Sequence, residues 1–332
     1  MKVKRRKKGF YRLLQYREQS CSIRNKIVME NELIIEEIKK LKAERNAVIL
    51  SHFYTRSEVQ EVADFVGDSL SLCKAAVNSK ADVIVFAGVH FMAESAAIIS
   101  PQKTVLLPVP DAGCPMADMV TAESLRAAKE KHPEAAVVCY VNSSAAVKAE
   151  SDICCTSANA INVVNSIEDR EIIFIPDKNL GAFVSLHTDK KIHLWPGFCH
   201  VHENISEENL KELKKLHPDA EFLAHPECRP EVLKFADRIL STSGIVREVG
   251  SSGSTEFIIG TEREIVRSLK KKYPDKKFYS ASEKTFCYNM KKITLESILN
   301  SLQNMEYEIH VPENIRVKAR KALDRMLEIS GN

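Results

Sequence analysis

No stretch of the sequence approaches the roughly 18 consecutive apolar residues a membrane span needs, so none is expected. The basic N-terminus lacks the apolar segment of a secretory signal, which makes the protein cytoplasmic by expectation. In that compartment the nine cysteines are expected as thiols or metal ligands rather than disulfides. No C-x-x-C pair occurs, so no zinc knuckle closes on itself. Neither G-x-G-x-x-G nor G-x-x-x-x-G-K-[ST] is present, and a nucleotide cofactor has no support. The C-x-x-x-C-x-x-C pattern of radical chemistry with S-adenosylmethionine is missing too.

What is present is ordinary globular composition: 332 residues, 44% hydrophobic and 28% charged, enough for two or three domains. The net charge of +3 hides an uneven distribution. Residues 1–28 carry ten Lys and Arg against one Glu, so acidic residues exceed basic ones by six from Met29 onward. Such an arm suits nucleic acid or anionic lipid. The plainer expectation is a disordered extension, with Met29 as the native start and nucleic acid not a partner.

Beyond Glu30, short β-branched apolar runs alternate with amphipathic segments, which predicts an α/β fold with parallel strands. The runs are AVILSHFY, ADVIVFAGV, KTVLLPV, AAVVCYVN, REIIFIPD, KIHLWP, AEFLAHPE, TEFIIGTE and KKFYSAS. In SEENLKELKKLHPDA, Leu210, Leu213 and Leu216 are expected on one helix face, and Pro218 ends the helix.

The polar residues that close these runs recur at a fixed period. His52, Tyr140 and His225 lie 88 and 85 residues apart, as do Ser69, Ser157 and Thr242. Gly88, Asp177 and Glu262 form a third set, and Cys114, Cys199 and Cys287 a fourth, 85 and 88 apart. The chain thus reads as three copies of a unit of roughly 87 residues with four strands each. Ligands of open parallel sheets bind beyond the carboxyl ends of the strands, where all these residues fall. Three units around a pseudo-threefold axis would aim those ends at one central cavity. The expected boundaries are 29–118, 119–203 and 204–294, with C-terminal helices in 295–330 packing back on the first unit.

In WPGFCHVH, Cys199 and His200 are adjacent and cannot complete a zinc site alone. The cysteines at matching points of the repeat are better partners. Three thiolates suit a 4Fe–4S cluster with one iron left open, a Lewis acid rather than an electron carrier. Three buried structural cysteines is the competing reading. Cys139 and Cys154 sit in apolar runs and read as core. Ser69, Ser157, Ser241 and Thr242 stand where helices begin, suited to anionic ligands or simply to capping. His52, Tyr54, Tyr140, Asn142, His225 and Glu227 are the acid–base and hydrogen-bonding candidates.

Nine ordered blocks over about 300 residues, among them SHFYTRSEVQEVADFVGDSL, DAGCPMAD, CYVNSS, PDKNLG, WPGFCHVH, AHPECRPEV and TFCYNMKK, resemble the quinolinate synthase family, the A protein of NAD biosynthesis. The resemblance implies three α/β/α domains and a 4Fe–4S cluster on Cys114, Cys199 and Cys287. It implies condensation of iminoaspartate with dihydroxyacetone phosphate to quinolinate, phosphate and water, with an oxidase or dehydrogenase supplying the imine. It further implies that His52, Ser69, Tyr140, Asn142, Ser157, His225, Glu227 and Thr242 bind substrate. Tyr54 would assist ring closure, and Glu227 with His225 or His52 would move protons. Position 200 is His where many members carry proline, and Thr55 replaces a commoner glutamine; the roles of His200 and His202 stay open. Another 4Fe–4S hydro-lyase, or a non-catalytic iron–sulfur or phosphometabolite-binding protein, are the alternatives.

Overall fold

The computed structural model describes residues 29–331. The basic segment 1–28, Cys21 included, lies outside the described residues, as does the question of where the native chain starts. Residues 29–44 are helical and lead into twelve strands. The first sheet holds β1 (Ala47–His52), β2 (Phe65–Gly67), β3 (Val83–Ala87) and β4 (Thr104–Leu106). The second holds β5 (Ala135–Tyr140), β6 (Ile153–Cys155), β7 (Glu171–Ile175) and β8 (Lys191–Leu194). The third holds β9 (Glu221–Ala224), β10 (Arg238–Ile239), β11 (Glu256–Gly260) and β12 (Lys277–Ser280).

All pairings between these strands are parallel, and each sheet runs second, first, third, fourth strand. The registers repeat as well. Leu50, Val138 and Leu223 pair with Phe65, Ile153 and Arg238 on one side and with Phe86, Phe174 and Ile259 on the other. That is a separation of 15 and 36 residues in every sheet. The expected threefold α/β repeat is therefore present in the backbone. The runs quoted from the sequence omit β2, β6 and β10, strands of two or three residues.

One side chain fixes this register three times. Asp64, Asp152 and Asp237 each precede the short second strand and accept from the backbone N–H of Ile49, Val137 and Phe222 at 2.7–2.8 Å. Each returns its own N–H to the carbonyl of that same residue. The aspartates lie 88 and 85 residues apart, in ADFV, SDIC and ADRI, a signal present in the sequence but absent from the reading above.

Parallel strands are covered on both faces. In the third sheet Phe222, Ala224 and Ile258 join one apolar cluster, and Leu223, Phe257 and Ile259 join another, as the period of two requires. Each buried phenylalanine contributes about 1.5–3 kcal/mol as an upper figure. The first two sheets share one continuous core with the C-terminal helices. In the helix Glu313–Ile329, Ala319, Ala322, Leu323, Met326 and Leu327 form a buried i, i+3, i+4, i+7, i+8 stripe. That helix packs on β6, on the helix Ala145–Ala149 and on the helix His90–Ile99, joining the first two units.

One detail departs from expectation. In the helix Glu207–Leu216, Leu210 is buried, but Leu216 is 72% exposed. Six residues of helix turn Leu216 about 120° away from Leu210, outside the apolar stripe. The helix does end before Pro218. Cys139 and Cys154 are buried and paired in register, as expected of core.

Candidate active site

The carboxyl ends of the three sheets face one cavity. His52, Tyr54 and Ser69 reach it from the first unit, Tyr140, Asn142 and Ser157 from the second, and His225, Glu227 and Thr242 from the third. Cys114, Cys199 and Cys287 line it too, so these twelve residues meet in one place, while Ser241 is not on its wall. His200 is on the wall, as are Asp68, Thr156 and the apolar Val89, Phe91, Met92, Met116 and Met290.

Local backbone geometry sets the histidines. The Tyr54 N–H donates to His52 Nδ1 at 3.1 Å, and the Glu227 N–H donates to His225 Nδ1 at 3.3 Å. Nδ1 is thus an acceptor in both rings, which leaves the proton of the neutral imidazole on Nε2. His225 Nε2 is 3.1 Å from Ser157 Oγ. Burial pushes His52 down to about 4 and His225 down to about 3, so both are neutral near pH 7.

At two helix starts the capping residue and the cavity-lining residue are different. Asp68 caps the helix Ser69–Asn78, and Ser241 caps the helix Thr242–Ser251. Ser69 and Thr242 are the first helical residues and remain on the cavity wall. Asp68 also accepts from Ser241 Oγ at 3.2 Å and from the Ser243 N–H at 3.3 Å, which ties the first unit to the third. Asn142 Oδ1 is buried without a hydrogen-bond partner among the described residues. A buried acceptor left open in a cavity wall marks a place for a ligand donor.

Glu227 is the electrostatic centre. Burial pushes its carboxyl up, but His202, His225 and a hydrogen bond from Tyr140 outweigh this and hold it well below the usual range. Tyr140 donates to Oε1 at 2.5 Å. His202 Nδ1 stands 2.7 Å from Oε2, close but without hydrogen-bond alignment. On its far side His202 Nε2 is 2.9 Å from Thr261 Oγ1, which is 2.6 Å from Tyr54 Oη. A chain of polar groups therefore runs Tyr54–Thr261–His202–Glu227–Tyr140 through all three units. Burial pushes both tyrosines far above their ordinary value. Thr261 carries no sequence signal, and His202 gains its place only through this chain.

The cysteines repeat in geometry as well as in number. Backbone N–H groups of Met116 and Ala117 point at Cys114, that of His202 at Cys199, and those of Asn289 and Met290 at Cys287. Buried acids brace two of the loops. The Cys199 N–H donates to Asp177 at 3.2 Å and the Cys287 N–H to Glu262 at 3.3 Å. Burial raises Cys114 to about 12 and Cys287 to about 11, and raises Cys199 further, so the free thiols hold their protons. Donors aimed at each sulfur are what a bound thiolate needs, and three such sulfurs on one cavity fit a cluster held on different irons. Cys199, His202 and Glu227 also bring ligand atoms within 4.8 Å of one another, a candidate site for a single ion. Because Glu227 and His202 already share a polar chain, the sulfurs are the more available set.

Parallel sheets in three units, three thiols and an acid–base chain on one cavity define a multi-unit α/β protein with a candidate metal and catalytic centre. The chain belongs to the family described as Quinolinate synthetase A protein, which matches residues 36–328. It is 80% identical over 307 residues to Quinolinate synthase 2 of Methanosarcina acetivorans, covering 92% of this chain and 99% of that one. It is 58% identical to Quinolinate synthase of Methanosarcina barkeri and 56% identical to that of Geobacter metallireducens. Each of these alignments spans 301 residues, 91% of this chain and 99% of the relative. Among the described residues no helix is long and apolar enough to cross a membrane.

Proposed function

We propose that this chain is a quinolinate synthase, a transferase that condenses iminoaspartate with dihydroxyacetone phosphate and releases quinolinate, phosphate and water. One observation carries the reading: three equivalent thiols and the Glu227 chain converge at the carboxyl ends of three equivalent sheets. Cys114, Cys199 and Cys287 would hold a 4Fe–4S cluster. When bound, its iron without a protein thiolate supplies a Lewis acid for loss of hydroxide.

The protein's own groups fit the rest of the work. Both substrates are anionic. The Ser69, Ser157 and Thr242 hydroxyls, with the positive ends of the helices Ser69–Asn78 and Thr242–Ser251, suit carboxylate and phosphate. Neutral His52 and His225 present an Nε2 proton and so stabilise a developing oxyanion without adding a charge. Glu227, ionised at neutral pH, accepts a proton in one step and returns it in a later one. The apolar wall of Phe91, Met92 and Met290 keeps water from the labile imine. An iminoaspartate-producing oxidase or dehydrogenase would stand upstream.

The test is anaerobic reconstitution with iron and sulfide, then assay of quinolinate from the two substrates, for the wild type and for Cys114→Ala, Cys199→Ala and Cys287→Ala. About four irons per wild-type chain is expected, with turnover lost in all three variants. A full iron complement with no quinolinate would move the reading to a hydro-lyase. No iron at all would return the cysteines to the core.

A further inference from the structure

A second cluster of ligating side chains lies at the opposite, amino end of the second sheet. Glu171 opens β7, His193 lies on the neighbouring edge strand β8, and His132 caps the C-terminus of the helix Ala122–Lys131. Glu171 pairs with Lys191 and His193 with Ile173, so Glu171 and His193 project from the same face. His193 Nε2 is 2.8 Å from Glu171 Oε2, and the His132 and His193 rings lie 3.8 Å apart at 32°. One ligand atom from each of the three side chains falls within 4.8 Å of the other two. Lys191 occupies the other carboxylate oxygen at 3.1 Å, so Oε2 faces His193 alone. All three residues are partly open to solvent.

The third unit holds the same arrangement with one change. His217, Glu256 and Tyr279 stand at the matching positions, with Lys277 on Glu256 at 2.7 Å in place of Lys191 on Glu171. His217 stacks on Tyr279 at 3.6 Å, and Tyr279 donates to Glu256 at 3.1 Å. The third unit thus has a phenol ring stacked on a histidine and bonded to an acid at this point. In the second unit alone that ring is a second imidazole.

We propose that His132, Glu171 and His193 form a binding site for one divalent transition metal of the zinc type, distinct from the central cavity. Two imidazoles and a carboxylate are a zinc donor set with a fourth position left to water. Ligands around zinc stand about 3.4 Å apart for bonds near 2.0–2.1 Å, so the present spacing closes on an ion with small side-chain movements. The ion replaces the proton shared by His193 and Glu171. It fastens the edge strand β8, which leads to Cys199, to β7 and to the preceding helix.

The experiment counts zinc in the full-length chain after removal of metal and dialysis against free Zn²⁺, for the wild type, His193→Tyr, His132→Ala and Tyr279→His. His193→Tyr rebuilds the arrangement of the third unit and so preserves the fold, which a circular dichroism melt verifies. It is expected to bind about one zinc fewer per chain than the wild type, and His132→Ala to bind at that site about tenfold or more weakly. Tyr279→His is expected to gain about one zinc, since it copies the second unit into the third. Zinc should raise the melting temperature of the wild type above that of His193→Tyr. A folded His193→Tyr that keeps the wild-type zinc count overturns the site, as does unchanged affinity in His132→Ala.

Discussion

Glu227 shows how one residue's character is made by its neighbours. A carboxylate buried without partners would cost several kcal/mol and take up a proton instead. Tyr140 at 2.5 Å and His202 at 2.7 Å reverse that outcome and keep it charged. Glu227→Gln retains the shape and an acceptor for Tyr140 but removes the charge. The rate of quinolinate formation is expected to fall by about 10²–10⁴ with the melting temperature held near wild type. A near-wild-type rate would take Glu227 out of proton transfer. The candidate acid and its histidine were legible in HPE, because residues at a strand end must face the ligand side. Thr261 and the part played by His202 were not, because their partners lie 25 to 207 residues away in sequence.

The loop between β8 and the helix His200–Glu203 shows what an element contributes. It carries Cys199 and is held against the second sheet at Gly197 and Asp177. A Cβ on Gly197 would lie 2.4 Å from the Pro176 carbonyl oxygen, a backbone atom that cannot swing away. Gly197→Ala is therefore expected to cost about 1–3 kcal/mol and to push the loop outward. Iron retained after reconstitution should fall alongside the melting temperature, and full iron with a wild-type melt would show that the loop yields freely. The equivalent brace at Cys287 is Glu262, itself paired with Lys291 at 3.1 Å. The repeat of Asp177 and Glu262 is visible in the sequence, but their work as anchors of cysteine loops is not. It depends on a hydrogen bond across 22 or 25 residues.

On the scale of the whole molecule, the central cavity concentrates titrating groups that must stay neutral. His52 and His225 have values of about 4 and 3 when folded, against an ordinary 6.5. Below pH 6.5 the unfolded chain therefore binds more protons than the folded one, and stability falls as pH falls through the window from 6.5 to about 4 and 3. The loss is on the order of 2 kcal/mol per histidine by about pH 5. Melts of the wild type should drop steeply between about pH 7 and pH 5, and those of a His52→Gln, His225→Gln double variant less steeply. Equal slopes would place the acid sensitivity elsewhere.

The sequence by itself determined the α/β class, the threefold period and the placing of twelve polar and thiol residues at strand ends. Strand alternation and the spacing of capping residues are short-range effects of backbone geometry, so they survive in a single chain read in order. It also held the Asp64, Asp152 and Asp237 register pins, which share the period of the strands they fix. Only the tertiary structure decided which of two leucines in one helix is buried, which serine caps and which faces the cavity, and which carboxyl is charged. It alone brought His132 to Glu171 and His193. These outcomes turn on distances between residues remote in sequence, because burial and Coulomb energy depend on the neighbours a group meets in space.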